Sequence, residues 1–332
     1  MNYNHLAEIS LKGSLLDREQ CISVLRCPQD ELLGLLQAAF RVRRQTFGRK
    51  VIVQQLINAK SGLCTQDCAY CSQSAVSEAS IEKYSLLDEE TIIAGALAAK
   101  AGRAARYCIV TSGYGPSSRE LDHICRTVGR IRKETDIELC TSLGSITEED
   151  AMRLKKAGVD RYNHNLNTSE RLYPRICTTH TYADRVRTLQ NAKKAGLKLC
   201  CGALMGMGES EDDIIDLGLA LRDVGPDSIP INFLHPIPGT PLENASELKP
   251  LECLSILCLM RFLNPHTEIR AAGGREFRLR SLQPLALYPA NSIFVSGYLT
   301  TGGQGPEEAR EMITDMGFEV EEEAVQKMST DS

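Results

Sequence analysis

Short β-branched or apolar segments alternate with amphipathic stretches along most of this chain, and the alternation repeats eight times. Each pair is typical of a βα unit, in which a parallel strand is followed by a helix that packs on it. Eight consecutive units predict an α/β chain that closes into a (β/α)8 TIM-type barrel, with its active site at the C-terminal ends of the strands. The predicted strands are residues 51–59, 106–111, 137–142, 161–167, 197–204, 228–233, 267–272 and 291–295.

The flanking segments complete the predicted organisation. Residues 1–45 precede the first strand and are predicted to form an N-terminal helical cap. Residues 46–302 form the predicted barrel, and residues 303–332 an acidic C-terminal helix and tail. Within the barrel, Thr147 with Asp150 three residues later is typical of a helix start, and Gly158 of the helix end.

Charge and composition exclude several classes of protein. The net charge of -5 over 332 residues argues against a nucleic-acid or anionic-membrane partner, because phosphate binding needs clustered cations. The one basic run, residues 41–50, is typical of a solvated surface. We find neither an apolar run of about 20 residues nor a secretory signal pattern, so we expect a cytoplasmic protein without a membrane partner.

Three of the thirteen cysteines stand close together just after the first predicted strand. Cys64, Cys68 and Cys71 form the pattern C-x₃-C-x₂-C, with Tyr70 directly before the third thiol. In a reducing compartment such grouped thiols indicate metal binding or catalysis rather than disulfides. Three thiolates can hold three irons of a cubane cluster and leave the fourth open, whereas structural zinc would need a fourth local ligand.

A second set of thiols follows from strand parity. Alternate strand residues face opposite sides, and in a barrel one side packs on the helices while the other fills the lumen. Apolar residues mark the helix side, which assigns Cys201 to that side and leaves mainly polar and charged residues facing inward. We therefore predict that three inward thiols hold a second iron–sulfur cluster, although three small buried thiols in a core is the alternative. The predicted inward residues are Arg106, Cys108, Glu138, Cys140, Ser142, Arg161, Asn163, Asn165, Asn167, Lys198, Cys200, Asn232, Glu268 and Arg270.

Five sequence blocks, together with the thiol motif, resemble the biotin synthase family of the radical S-adenosylmethionine (SAM) superfamily. They are residues 58–74, 162–169, 206–209, 239–242 and 290–294, and the resemblance spans about residues 45–302. It implies an enzyme that inserts sulfur into dethiobiotin to form biotin. A 4Fe–4S cluster on Cys64, Cys68 and Cys71 would cleave SAM to a 5'-deoxyadenosyl radical. A 2Fe–2S cluster on Cys108, Cys140, Cys200 and Arg270 would donate the sulfur.

The resemblance also implies roles for residues around the clusters. SAM would contact Tyr70, Asn165, Asn167, Gly206, Gly208 and Asn232, and dethiobiotin would contact Asn163, Asn232, Thr300 and Thr301. Some relatives have Asp at the position of Asn167, so the contact there would be uncharged in this chain. The implied partners are a flavodoxin or ferredoxin reductant and the iron–sulfur assembly machinery, and the implied state is a homodimer.

Two other functions compete with this one. A different radical SAM enzyme with the same barrel, such as a hydrogenase maturase, would share the first thiol set without requiring the second. An electron-transfer iron–sulfur protein would need neither a full barrel nor an open iron.

Overall fold

Parallel strands close into a barrel in the computed structural model of the chain, which describes residues 1–321. The strands pair in the order β1, β2, β3, β4, β5, β7, β8 and β9, and β9 pairs back with β1 to complete the circle. The short β6 follows β5 and also pairs with β7, so the two fill one position of the barrel. The strands are β1 (Lys50–Lys60), β2 (Arg106–Thr111), β3 (Glu138–Ser142), β4 (Arg161–Asn163), β5 (Lys198–Cys200), β6 (Ala203–Met205), β7 (Ser228–Phe233), β8 (Glu268–Ala271), β9 (Ser292–Phe294) and β10 (Glu319–Val320).

Helices follow the barrel strands on the outside, and the starts of five of them are fixed by side-chain caps. Thr147 and Asp150 form the predicted reciprocal cap, and Gly158 ends that helix in the left-handed conformation. The helices are α1 (Tyr3–Leu11), α2 (Arg18–Leu25), α3 (Leu32–Phe47), α4 (Glu89–Ala101), α5 (Ser118–Glu134), α6 (Glu148–Ala157), α7 (Tyr173–Ile176), α8 (Tyr182–Lys194), α9 (Glu211–Val224), α10 (Pro250–Leu263), α11 (Arg275–Leu279) and α12 (Pro306–Asp315).

The predicted (β/α)8 class is confirmed, with two local differences. The fourth strand ends at Asn163 instead of residue 167, and the fifth is broken into β5 and β6 around Cys201 and Gly202. Asn167 adopts a positive φ of 71°, which a continuous strand does not allow. Strand parity therefore cannot be extended along the fourth segment beyond its third residue.

The two sides of the sheet separate as the alternation predicts. Tyr107, Ile109, Leu139, Leu199 and Cys201 are buried in the apolar core between strands and helices. On the other side, strand register places Cys108 beside Cys140, and Asn163 of β4 beside Cys200 of β5. The lumen thus collects the thiols from neighbouring strands, while the aliphatic side chains supply the burial that stabilises the barrel.

The terminal segments pack on the outside of the barrel. Helix α3 packs on α10, and α2 lies against both α9 and α10. The Ser10 hydroxyl donates a 2.7 Å hydrogen bond to the Phe262 carbonyl at the end of α10. At the other end of the chain, β10 pairs with the beginning of β1, joining Glu319 to Lys50. The predicted C-terminal tail lies in part outside the described residues, because the structure describes the chain only to residue 321. Among the described helices, we find none whose length and apolar character would let it span a bilayer.

Candidate active site

A cavity of about 310 Å³ opens at the C-terminal ends of the barrel strands. Its lining contains both thiol sets and most of the residues predicted to hold a cluster or contact a ligand. Of that group, Gly206 and Gly208 are outside the lining, in the loop after β6. The lining also lacks five charged residues that were predicted to face inward, namely Arg106, Glu138, Arg161, Lys198 and Glu268. The predicted site residues in the lining are Cys64, Cys68, Tyr70, Cys71, Cys108, Cys140, Asn163, Asn165, Asn167, Cys200, Asn232, Arg270, Thr300 and Thr301.

The first thiol set lies on the long loop that follows β1. Hydrogen bonds hold this loop, because the Gly62 amide donates to the Gln73 side chain and the Cys71 amide to the Cys68 carbonyl. Leu63 takes a positive φ of 55° just before Cys64. Burial raises the pKa of Cys71 to about 11, so ionising this thiol needs a cation or metal to compensate. The loop therefore presents its thiols from a fixed backbone.

One further thiol reaches this set from another part of the chain. The Cys177 sulfur lies 3.7 Å from the Cys68 sulfur and 3.1 Å from Nδ1 of His180. Ligand atoms of these three residues lie within 4.8 Å of one another, close enough to hold a metal ion. The sequence does not predict this approach, because Cys177 lies far along the chain from the C-x₃-C-x₂-C motif. Only the fold brings residue 177 next to residue 68.

The second thiol set lies deeper in the lumen. Cys108, Cys140 and Cys200 are 5%, 4% and 1% exposed, and each lines the same cavity. A hydrogen bond that the Cys140 thiol donates to Cys108, together with burial, raises the pKa of Cys140, and burial also raises the pKa of Cys200. The Arg270 guanidinium opposes the shift at Cys200, donating from Nη1 to its sulfur at 3.5 Å. Three converging thiols and an adjacent cation can accommodate thiolates bound to a metal.

The charged residues of the lumen neutralise one another beneath these thiols. Arg106 forms ion pairs with both Glu138 and Glu268, Arg161 pairs with Glu138, and Arg270 with Glu268. The buried charges therefore find partners among themselves. The three arginines still exceed the two glutamates by one positive charge, apart from Lys198, whose side chain is half exposed. That excess favours thiolates in the thiol set above it.

The three asparagines line the cavity, but not as one strand face. Asn163 ends β4 and donates to the Ser142 hydroxyl at 3.1 Å. Asn165 and Asn167 come from the following loop, and the Asn165 side chain accepts a 3.0 Å hydrogen bond from the Gly202 amide. Asn167 donates to the Tyr70 hydroxyl at 2.7 Å, which joins it to the loop of the first thiol set.

Asn232 is held by backbone groups at both ends of its amide. Its nitrogen donates to the Ala203 carbonyl at 2.9 Å, and its oxygen accepts from the Gly273 amide at 3.0 Å. An amide has a second donor hydrogen and a second lone pair, which remain for a ligand. The strand ends thus fix this side chain in one orientation before any ligand binds.

The loop after β6 has the open backbone that its glycines predict. Gly206 and Gly208 have positive φ values of 102° and 97°. One oxygen of Glu209 accepts hydrogen bonds from the amides of Gly206 and Met207, at 3.0 and 2.8 Å. Burial raises the pKa of Glu209, and its second oxygen is buried without a hydrogen-bond partner. Sequence reasoning missed Glu209, although its place directly after the glycines was a usable signal.

Thr300 and Thr301 lie in the loop after β9. The Thr301 hydroxyl donates to the Tyr298 carbonyl at 2.9 Å, within a tight turn that also joins the two backbones. The Thr300 and Ser72 hydroxyls lie 2.9 Å apart, so this turn contacts the loop of the first thiol set directly. The two loops together form one side of the cavity.

The donor sets fit two iron–sulfur clusters rather than closed zinc sites. Cys64, Cys68 and Cys71 share one loop and the mouth of the cavity, which suits a cluster with an iron open to a ligand. Cys108, Cys140 and Cys200 sit below them with Arg270 and a surplus positive charge. Both sets face one cavity, so a molecule bound there would lie between them.

Two family models match successive segments of the chain. The Radical SAM superfamily model matches residues 60–219, and the Biotin and Thiamin Synthesis associated domain matches residues 230–319. The first match contains both thiol sets, and the second contains Arg270, Thr300 and Thr301.

Solved structures share the fold at low identity. A crystal structure of methylornithine synthase has a TM-score of 0.84 at 19% identity, covering 95% of this chain and 97% of that one. The FeFe-hydrogenase maturase from Carboxydothermus hydrogenoformans has a TM-score of 0.79 at 19% identity, covering 97% of this chain and 80% of that one. At this identity the likeness shows the fold alone.

Curated relatives are far more similar. The biotin synthase of Bacillus subtilis (strain 168) is 51% identical over 316 residues, 95% of this chain and 94% of the relative. That of Geobacillus kaustophilus (strain HTA426) is 51% identical over 320 residues, 96% of each chain, and that of Anoxybacillus flavithermus (strain DSM 21510 / WK1) is 48% identical over 321 residues, 97% of this chain and 98% of the relative. With both domains matched and identity near one half over almost the full length, this chain belongs to the biotin synthase family of radical SAM enzymes.

Proposed function

We propose that the two thiol sets of the cavity perform the two halves of sulfur insertion into dethiobiotin. The observation that supports this division is that a single cavity is lined by Cys64, Cys68 and Cys71 at its mouth and by Cys108, Cys140 and Cys200 deeper inside. The substrate would bind between the sets, with each reacting carbon accessible from both sides.

The metal groups supply chemistry that side chains do not have. The bonds to be broken are unactivated C–H bonds, which the protein's acids and bases cannot deprotonate. When bound, the first cluster supplies the electron that cleaves SAM, and the second supplies the sulfur atom. Cys64, Cys68 and Cys71 would hold the first, and Cys108, Cys140, Cys200 and Arg270 would hold the second.

The remaining residues bind and orient. Asn167 and Tyr70, already hydrogen-bonded to each other, would contact SAM together with Asn165 and the positive-φ backbone of Gly206 and Gly208. Asn163 would contact dethiobiotin, and Asn232 would contact both ligands with the donor and acceptor that the backbone leaves over. For the substrate carboxylate, the Thr300 hydroxyl is the better donor, since that of Thr301 is engaged with Tyr298.

The same proposal covers the compartment, the protein partners, the oligomeric state and the domains of the enzyme. All thirteen cysteines, which lie within the described part of the chain, are free thiols, as suits the reducing cytoplasm. A flavodoxin or ferredoxin would deliver the electron, and iron–sulfur assembly proteins would load the clusters. We further propose a homodimer, and the segments 1–45, 46–302 and 303–332 as cap, catalytic barrel and C-terminal extension.

The variant Cys68→Ala tests the assignment of the first set. It should abolish the formation of 5'-deoxyadenosine from SAM while the barrel still folds, because Cys68 lies on a loop rather than in a strand. Cys258→Ala, which removes a fully buried thiol from α10, is the matched control and should retain SAM cleavage. If Cys68→Ala forms 5'-deoxyadenosine at the parent rate, the assignment is wrong.

A further inference from the structure

The side chain of Arg270 is held so that one nitrogen faces the second thiol set. Its Nη2 donates to the Ser228 hydroxyl at 2.7 Å and to Oε1 of Glu268 at 2.9 Å, and its Nε lies 3.3 Å from the Ser292 hydroxyl. The Phe294 ring packs against the guanidinium, with Cζ of Arg270 4.8 Å from the ring centroid. Nη1 is left to point at Cys200. The orientation of the guanidinium therefore depends on the contacts of its other two nitrogens.

Among those contacts, Glu268 is the one that carries charge. It is 4% exposed, and it lies two residues before Arg270 on β8, so both side chains face the lumen from one strand. Oε1 accepts hydrogen bonds from Gln54 and Ser228, both at 2.9 Å, in addition to the one from Arg270. Oε2 accepts from Nη1 of Arg106. The carboxylate thus stands between two buried guanidinium groups.

We infer that Glu268 is a positioning residue for the second cluster, which fixes the Arg270 guanidinium with Nη1 toward the thiols. The inference rests on the proposed role of Arg270 at that cluster. Without the carboxylate, Arg106 and Arg270 would remain charged in the lumen, and Glu138, the other carboxylate of this group, already pairs with both Arg106 and Arg161. Serine hydroxyls carry no net charge and rotate freely, so Ser228 and Ser292 cannot replace it.

Replacing Glu268 by its neutral isostere disturbs this arrangement in a defined way. In Glu268→Gln, one of the two acceptor positions becomes an NH₂ group that meets hydrogen-bond donors on either side. If the NH₂ group replaces Oε1, it faces the donors of Arg270, Ser228 and Gln54. If it replaces Oε2, it faces the donor of Arg106. In either case a charge-assisted contact is lost, and Arg270 gains freedom to turn away from Cys200.

The experiment compares anaerobically reconstituted Glu268→Gln and Glu268→Asp proteins with the parent. The absorption and Mössbauer spectra of each cluster, and the rate at which a chelator removes iron from the second, are the measurements. We expect shifted second-cluster spectra, iron loss about tenfold faster in the Gln variant, and an unchanged first cluster. Asp keeps the charge on a shorter side chain, so its spectral shift should be smaller.

Asp213→Asn is the matched control for removing a buried charge. Asp213 is 1% exposed and pairs with Arg171 and the Ser169 hydroxyl at the start of α9. This variant should lose stability but keep the parent spectrum of the second cluster. A residue that only supports the fold would behave as Asp213 does, lowering the unfolding midpoint without moving the cluster's spectrum.

The outcomes separate the inference from the proposed function. Parent spectra and parent iron-loss rates in folded Glu268→Gln would overturn the inference, and so would a parent spectrum in Glu268→Asp if the Gln variant does not fold. Parallel measurements on Cys200→Ala test the underlying site. If that variant keeps the second cluster, the proposed function itself fails at this site. If it loses the cluster while both Glu268 variants match the parent, the inference alone fails.

Discussion

Replacing two neighbouring thiols, Cys200 and Cys201, by alanine should give opposite results for the second cluster. Cys200 ends β5 on the lumen side, where its sulfur accepts a hydrogen bond from Arg270. Cys201 belongs to the core between sheet and helices, and its amide donates to the Ser228 carbonyl at 3.0 Å. Cys200→Ala should therefore eliminate the second cluster and biotin formation, and Cys201→Ala should do neither.

The expected cost of Cys201→Ala follows from burial. Its side chain is fully buried beside Leu199, and alanine removes one sulfur atom, similar in size to a methyl group. Such a deletion costs about 1 to 2 kcal/mol of unfolding free energy, including the small cavity left behind. For a chain of this size that lowers the melting temperature by about 1 to 3 °C. Cys200→Ala should lose a similar amount, so stability alone does not distinguish the two variants.

The distinguishing assay is anaerobic reconstitution followed by iron analysis, absorption spectra and biotin yield. Cys200→Ala should keep only the first cluster and form no biotin. Cys201→Ala should keep both clusters and form biotin. Loss of the second cluster in Cys201→Ala but not in Cys200→Ala would show that the lumen face of β5 is assigned one residue out of register.

Three further predictions follow from the site and the fold. Asn167→Asp should keep the affinity for SAM, because the Tyr70 hydroxyl can donate to the carboxylate instead of accepting, and Asp tolerates the positive φ. Asn167→Leu should weaken equilibrium SAM binding by about 1 to 3 kcal/mol. Equal SAM affinity in the Leu variant would remove Asn167 from the site. Gly206→Ala should lower the free energy of unfolding by about 1 to 2 kcal/mol in denaturant titrations, because of its φ of 102°, and a parent-like midpoint would contradict this. Burial opposes ionisation of Glu138, yet Arg106 and Arg161 lower the pKa of its carboxyl group to about 2. The ionised carboxylate therefore contributes about 3 kcal/mol to the free energy of unfolding above the unfolded pKa of about 4.5, and this contribution is lost as the pH falls toward 2. In urea titrations of the cluster-free proteins, the stability of Glu138→Gln should depend less on pH over that range than the stability of the parent.

Much of this architecture could be predicted from the sequence, because the side chains of every barrel strand alternate between the lumen and the helix side. The alternation in β2 and β3 correctly separates Cys108 and Cys140 from Tyr107 and Leu139. The rule fails where the strand stops. Asn165 and Asn167 reach the cavity from a loop, and the positive φ of Asn167 leaves no signature in the alternation of apolar and polar residues.

Pairings between distant residues could not be predicted in the same way. Parity places Arg106, Glu138, Glu268 and Arg270 in one lumen, but it does not say which cation meets which carboxylate. That depends on strand tilt and side-chain length, and the structure joins Arg106 to a carboxylate 162 positions away. The approach of Cys177 to Cys68 is of the same kind, since it arises where the α7 segment folds over the loop after β1.

In the proposed function, the cluster on the deep thiol set holds the sulfur that the enzyme inserts. The most direct test loads the second cluster with heavy-isotope sulfide, leaves no other sulfide in solution, and allows a single turnover with dethiobiotin, SAM and a reductant. Mass spectrometry of the biotin should then show the heavy sulfur, and Cys200→Ala should yield no biotin. Biotin containing only light sulfur from the labelled protein would contradict the account.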